Sequence, residues 1–177
     1  MRSARLVPAL AALAFVAGCT EAPTAARTFT IPVFASSTGV GNFDASMASH
    51  NEVPPNKSGA SGTAVLTLNQ DETTLHYQVT VLKAEKVTQS HIHIAPAGSN
   101  GPVVVFLYGF NAAGVTIKGG ILAEGDITAA NLIPNAGIGF GGTMAEFIAA
   151  LRTSNAYVNV HTIERPAGEI RGQVTPN

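Results

Sequence analysis

The sequence predicts an all-β fold, an antiparallel Greek-key sandwich or barrel with one short helix near residues 143–152. Three observations lead there. Short runs alternate apolar and polar residues at regular spacing, helical periodicity is confined to a single segment, and turns draw on 18 glycines and 10 prolines. No internal repeat is present.

The chain opens with Arg2 and Arg5 ahead of an apolar run, Leu6 to Ala17, which is too short to cross a bilayer and has the form of a secretory signal. Val16-Ala17-Gly18-Cys19 follows, and it resembles a bacterial lipobox, in which cleavage before the cysteine leaves Cys19 as a lipid-bearing N-terminus. The alternative is an ordinary signal peptide with an incidental cysteine. Cys19 is the only cysteine, so no internal disulfide can form. Three parts are expected: signal peptide 1–18, a tether over 19–41 rich in Ala, Thr, Ser and Pro, and a domain over 42–177. Phe29, Ile31, Val33 and Phe34 within the tether would suit a short strand on the domain edge.

Ten Lys and Arg face eleven Asp and Glu, and the signal removes Arg2 and Arg5, so the remainder is mildly acidic. No basic, aromatic-studded strip suggests nucleic acid, and no second apolar stretch is long enough to span a membrane. The expected location is therefore the cell envelope, exported and held by lipid on Cys19. Thr20 offers no aspartate retention signal, so the outer membrane is expected if the organism has one.

The domain begins near Asn42, where Phe43, Ala45 and Met47 alternate with polar neighbours as far as Val53-Pro54-Pro55, which ends pairing. Ala60 to Leu68 and Thr74 to Leu82 read as a hairpin across Asn69-Gln70-Asp71-Glu72. His76, Gln78 and Thr80 point outward, and His76 is read as a solvated side chain. A strand through Ser90-His91-Ile92-His93-Ile94 precedes a Gly- and Pro-rich loop, and Val103 to Tyr108 reads as a central strand buried on both faces. Two weak strands are expected at Val115 to Ile117 and Ile121 to Gly125, a helical turn over Asp126 to Leu132, and a loop over Asn135 to Gly142. Thr143 and Glu146 stand three apart before an apolar periodic segment, the signature of a capped helix start. Ala156 to Thr162 and Glu169 to Thr175 close the chain as strands.

Side chains of a strand alternate between faces, so Ile92 and Ile94 enter the core while His91 and His93 stand together on the other side. In Tyr157-Val158-Asn159-Val160-His161-Thr162, Val158 and Val160 take the apolar face and Tyr157, Asn159 and His161 the opposite one. His91 and His93 lie about 6.5–7 Å apart along the strand, close enough to share one ion if their rings converge. His161 is a candidate third ligand and His50 a fourth. Nitrogen ligands suit copper or zinc, whereas manganese or iron needs a carboxylate or waters, for which Glu52 is the nearest candidate. The competing reading is a set of hydrogen-bonded histidines that stiffen the strand ends. Glu169 and Arg171 share a face of the last strand and would form a partly shielded, structural ion pair. No Ser-His-Asp order, phosphate-cradling loop or paired-carboxylate signature appears, so no catalytic residue is assigned.

Three ordered motifs resemble those of the CHRD (chordin-type) domain family, widespread in bacterial exported proteins. They are Asn51-Glu52-Val53-Pro54-Pro55, Ser90-His91-Ile92-His93 with Asn100-Gly101-Pro102, and Tyr157 to Thr162 leading to Pro166-Ala167-Gly168-Glu169-Ile170-Arg171-Gly172-Gln173. The resemblance covers about residues 42–175, with departures at His50 and Ser90, where the family favours small residues. It implies an immunoglobulin-like or copper/zinc superoxide dismutase-like sandwich and little about activity. Those dismutases also place copper on a His-x-His strand and a late Val-His segment, but their usual zinc pattern and disulfide are missing here. Three readings follow: a lipid-anchored module that binds a metal ion or an extracellular protein partner without turnover, a dismutase-like redox metalloenzyme, or a structural or adhesive surface module without metal.

Overall fold

A computed structural model describes residues 41–177. The signal peptide, Cys19 and the tether up to residue 40 lie outside the described residues. The domain is all-β with one short helix. Its strands are β1 (Asn42–Ala48), β2 (Ser61–Leu68), β3 (Leu75–Ile94), β4 (Val103–Tyr108), β5 (Val115–Ile127), β6 (Ala156–Thr162), β7 (Ile170–Gln173) and the short β8 (Thr175–Pro176). Helix α1 (Met144–Arg152) lies between β5 and β6.

Strand β3 organises the rest. Its first half pairs with β2 from Leu75↔Leu68 to Leu82↔Ser61, and with β5 on the other side. Its second half pairs with β6, from Val87↔Thr162 to Ile94↔Ala156, and with β4. The antiparallel order β2-β1-β7-β6-β3 therefore closes on itself through β3, giving a barrel-like sandwich with β4 and β5 on its flanks. The sequence predicts two strands here with a break after Leu82. Instead one strand bends: the register slips between Ala84 and Val87, and Lys83 and Lys86 take left-handed backbone (φ 55 and 52). The charged Lys83-Ala84-Glu85-Lys86 run thus marks a bend, because Ala84 and Val87 still pair with β5.

The core follows the alternation. Phe43, Ala45 and Met47 of β1, Ala64, Leu66 and Leu68 of β2, and Leu75, Val79 and Val81 of β3 are all buried. Each large side chain of this kind contributes roughly 1.5–3 kcal/mol on burial. Phe147, Ile148 and Leu151 add the buried stripe of α1. That helix starts as predicted: Glu146 N donates to Thr143 Oγ1 at 3.2 Å, and Thr143 N donates to Glu146 Oε2 at 3.1 Å. A cap of this type contributes about 1 kcal/mol.

Other expectations change. Among the described residues strand β4 has a ladder partner on one side only, and Phe106 is 49 % exposed, so within them it is a flanking strand rather than a central one. An unbroken apolar run cannot by itself tell a doubly buried strand from one whose outward residue covers a neighbouring side chain. The two weak strands merge into β5, with a one-residue register shift opposite Val79/Thr80. The expected helical turn is a 3₁₀ turn at Ala129–Asn131, and the glycine-rich loop holds another at Ala136–Ile138. Among the described residues no helix is long and apolar enough to cross a membrane.

Candidate metal centre

Strands β3 and β6 bring the histidines together by register. His91 lies opposite Asn159, His93 opposite Tyr157 and Gln89 opposite His161. Every residue of β6 is buried, because Ala156, Val158 and Val160 face the core while its other side is covered in turn. His91, His93 and His161 are only 4 %, 8 % and 7 % exposed. The His91 ring centroid lies 4.9 Å from that of His161 and 5.6 Å from that of His93. One nitrogen from each ring falls within 4.8 Å of the others. A tetrahedral ion with bonds of about 2.0–2.1 Å needs nitrogens about 3.3 Å apart, so the rings would have to draw together by up to about 1.5 Å to share one.

Hydrogen bonds set the tautomers. His161 Nδ1 lies 2.9 Å from the Pro166 carbonyl and His93 Nδ1 lies 2.8 Å from that of Gly101. A carbonyl only accepts, so each Nδ1 carries the proton and each Nε2 presents its lone pair. Among the described residues His161 Nε2 has no partner, and neither nitrogen of His91 has one. Burial holds all three imidazoles below the ordinary histidine range. His91 falls furthest, to about 3, with His161 and His93 adding to the effect of burial. Neutral imidazoles are the form that ligates a metal. The residues therefore fit a nitrogen-ligated ion: one nitrogen of each ring converges, and those of His91 and His161 are otherwise unused while His93 Nε2 meets the Asn159 carboxamide.

Flanking side chains fix the site. The Phe106 ring packs edge-on against His91 at 4.6 Å. Tyr157 stacks flat on His93 at 4.6 Å, and the Arg171 guanidinium lies 4.0 Å from the Tyr157 centroid. Arg171 donates through Nε to Glu52 Oε2 at 3.1 Å, and also to the Ser99 carbonyl and Asn100 Oδ1. Burial pushes the Glu52 carboxyl up, against the pull of Arg171. Glu52 also lies against Gly168 (φ 141), where a Cβ would stand 2.5 Å from Oε1, so a side chain at 168 would displace the carboxylate.

His91, His93 and His161 thus meet as their alternation predicts. His50 does not join them. It is exposed in a 3₁₀ turn (Ser49–Asn51) and lines a cleft of about 390 Å³ with Glu52, Ala97, Gly98 and Arg171. Glu52 is committed to Arg171 and stands outside the triad. The expected Glu169–Arg171 pair is corrected too. Arg171 turns to Glu52, while Glu169 accepts from Arg165 at 3.1 Å, from Thr162 Oγ1 at 2.8 Å and from the Ser58 hydroxyl. Two residues sharing a strand face had nearer partners in the covering loops. His76 is exposed as predicted and is hydrogen-bonded to Asp126 at 2.8 Å. Phe106 carries no signal in the sequence, because its register against His91 depends on a bulge in the β3–β4 ladder.

The profile of the CHRD domain matches residues 43–174. Neither the curated proteins nor the solved structures contain a significant match. The match spans β1 to the end of β7, taking in the three histidines, the Glu52–Arg171 pair and the loops that carry Asn100 and Gly168. The chain belongs to the CHRD domain family.

Proposed function

We propose that this CHRD domain is a non-catalytic binding module that holds one metal ion between His91, His93 and His161, on a chain tethered to the cell envelope through lipid on Cys19. The carrying observation is the unpartnered buried nitrogens of His91 and His161. A buried polar atom without a partner costs about 1–3 kcal/mol, and an ion would satisfy one nitrogen of His91 and the free nitrogen of His161 at once. Three neutral imidazoles suit zinc or copper. Manganese or iron fits less well, since Glu52, the nearest carboxylate, is held by Arg171. The cover over the triad supports retention of an ion rather than turnover at it.

The test is elemental analysis of the exported chain made soluble by Cys19→Ser, purified without a metal-binding tag, beside its His91→Ala/His93→Ala form. Near-stoichiometric zinc or copper that vanishes in the double variant is the expected result. A folded protein that takes up neither at neutral pH sinks the reading. Zinc does not change valence, so only copper would make a superoxide assay worthwhile.

Lipid attachment rests on the Val16-Ala17-Gly18-Cys19 motif. In cells, the native chain is expected in the membrane fraction and Cys19→Ser in the soluble fraction. Equal partitioning of the two would refute the anchor.

A further inference from the structure

Asn159 sits at the centre of the three histidines. It is buried to 1 % exposure, lies opposite His91 across the β3–β6 ladder and stands two residues before His161 on the same strand face. Its Oδ1 is placed 3.1 Å from His93 Nε2, and among the described residues that is the one side-chain hydrogen-bond contact it makes. Ser90 Oγ, which donates to the Asn159 carbonyl at 2.8 Å, holds the backbone beneath it.

The two neighbours of the His93 ring constrain each other. Gly101 O only accepts, so Nδ1 holds the single proton of a neutral ring. Nε2 then offers a lone pair and needs a donor, and the carboxamide can supply one only through its NH₂. Oδ1 is the atom placed against Nε2, but a neutral ring's single proton cannot serve two acceptors, so the hydrogen-bond network assigns the amide with its NH₂ toward Nε2. Of the three nitrogens that could converge on an ion, those of His91 and His161 are free while His93 Nε2 is occupied.

We propose that Asn159 caps the coordinating nitrogen of His93 in the metal-free protein and swings aside when an ion enters. This rests on the metal reading above and adds the way the site is kept closed. Asn159 is a positioning residue. It keeps the His93 ring in its ligating tautomer and orientation, and each binding event breaks one hydrogen bond to release the lone pair.

The test uses the exported chain with Cys19→Ser and zinc as the probe, in competition with a chromophoric chelator. Asn159→Ala is expected to bind zinc about two- to tenfold more tightly, the range corresponding to one net hydrogen bond. Asn159→Ser, too short to reach Nε2, is a second variant in case alanine disturbs the strand. In the zinc-free protein the ¹⁵N resonance of His93 Nε2 is expected to shift downfield when the cap is removed, while Nδ1 stays protonated. Weaker zinc binding in both variants overturns the proposal, because it would make Asn159 a support for the bound ion. An unmoved Nε2 resonance overturns it as well. If native and variant chains alike take up no zinc, the metal reading and the gating role fall together, and the nitrogen shift still decides whether the cap exists.

Discussion

Arg171→Ala is expected to cost the domain about 3–5 kcal/mol in urea unfolding, the penalty of stranding one member of a buried ion pair. Arg171 and Glu52 are almost wholly enclosed, and Glu52 Oε1 is already without a partner. Removing the guanidinium leaves that carboxylate with no compensation, unties Ser99 and Asn100, and uncovers the Tyr157 face that supports His93. Lysine is not a substitute, since one ammonium cannot reproduce a planar fork that meets three acceptors and stacks on a ring. Arg171→Met combined with Glu52→Gln should recover part of the loss by removing both charges. The exposed His76–Asp126 pair is the internal control, and His76→Ala should barely move the midpoint. A loss below about 1 kcal/mol for Arg171→Ala would mean that the covering loops hold without this pair.

Acid should destabilise the metal-free protein steeply once the pH drops below about 6.5. Burial lowers the pKa values of His91, His93 and His161 in the folded state, His91 to about 3. The unfolded chain takes up these protons near 6.5 and the folded chain does not, so unfolding is favoured as pH falls. Each histidine contributes a slope of about 1.4 kcal/mol per pH unit between its two pKa values. The stabilising contribution is complete above 6.5 and, for His91, is exhausted only near 3. Glu52 acts in the opposite sense just above 4.5, where its raised carboxyl retains a proton that the unfolded chain has lost, but it is one group against three. His91→Leu should flatten the slope by one histidine's share and raise metal-free stability at pH 7, because it removes two unpartnered nitrogens while abolishing metal uptake. Unfolding midpoints collected from pH 8 to 5 measure both effects. A flat profile would show that the imidazoles titrate normally in the folded protein.

Much of this was legible in the sequence because a strand's period is two. Alternation put Ile92, Ile94, Val158 and Val160 inward, and the same rule set His91, His93 and His161 on one side. The capped start of α1 was equally plain from Thr143 and Glu146. Ladder neighbours were less accessible. Nothing local says that β4 pairs on one side alone among the described residues, or that the charged run after Leu82 bends a strand without ending it. Side chains covered by loops were hardest. Glu52 and Arg171 are 119 residues apart, and only the closed fold shows that Arg171 prefers Glu52 to Glu169, two residues away. His50, ranked fourth among the candidate ligands, lies in a turn where no alternation governs its direction.

Ring closure through β3 sets the order in which the site can appear. The pairing of β1 with β7 joins one end of the domain to the other, through Ala48↔Arg171. Contacts this distant in sequence form late and slowly, since a long loop must be closed before they are rewarded. His91 and His93 belong to β3 near the middle of the domain, while His161 of β6 and the bracing Arg171 of β7 come well after them. A chain still emerging from a ribosome or a translocation pore would carry two of the three imidazoles with nothing to aim them. Capture of an ion would therefore report a finished molecule. A metal-sensitive spectroscopic signal followed during refolding should rise with the final phase, together with burial of Tyr157, and not with the early hairpin of β2 and β3.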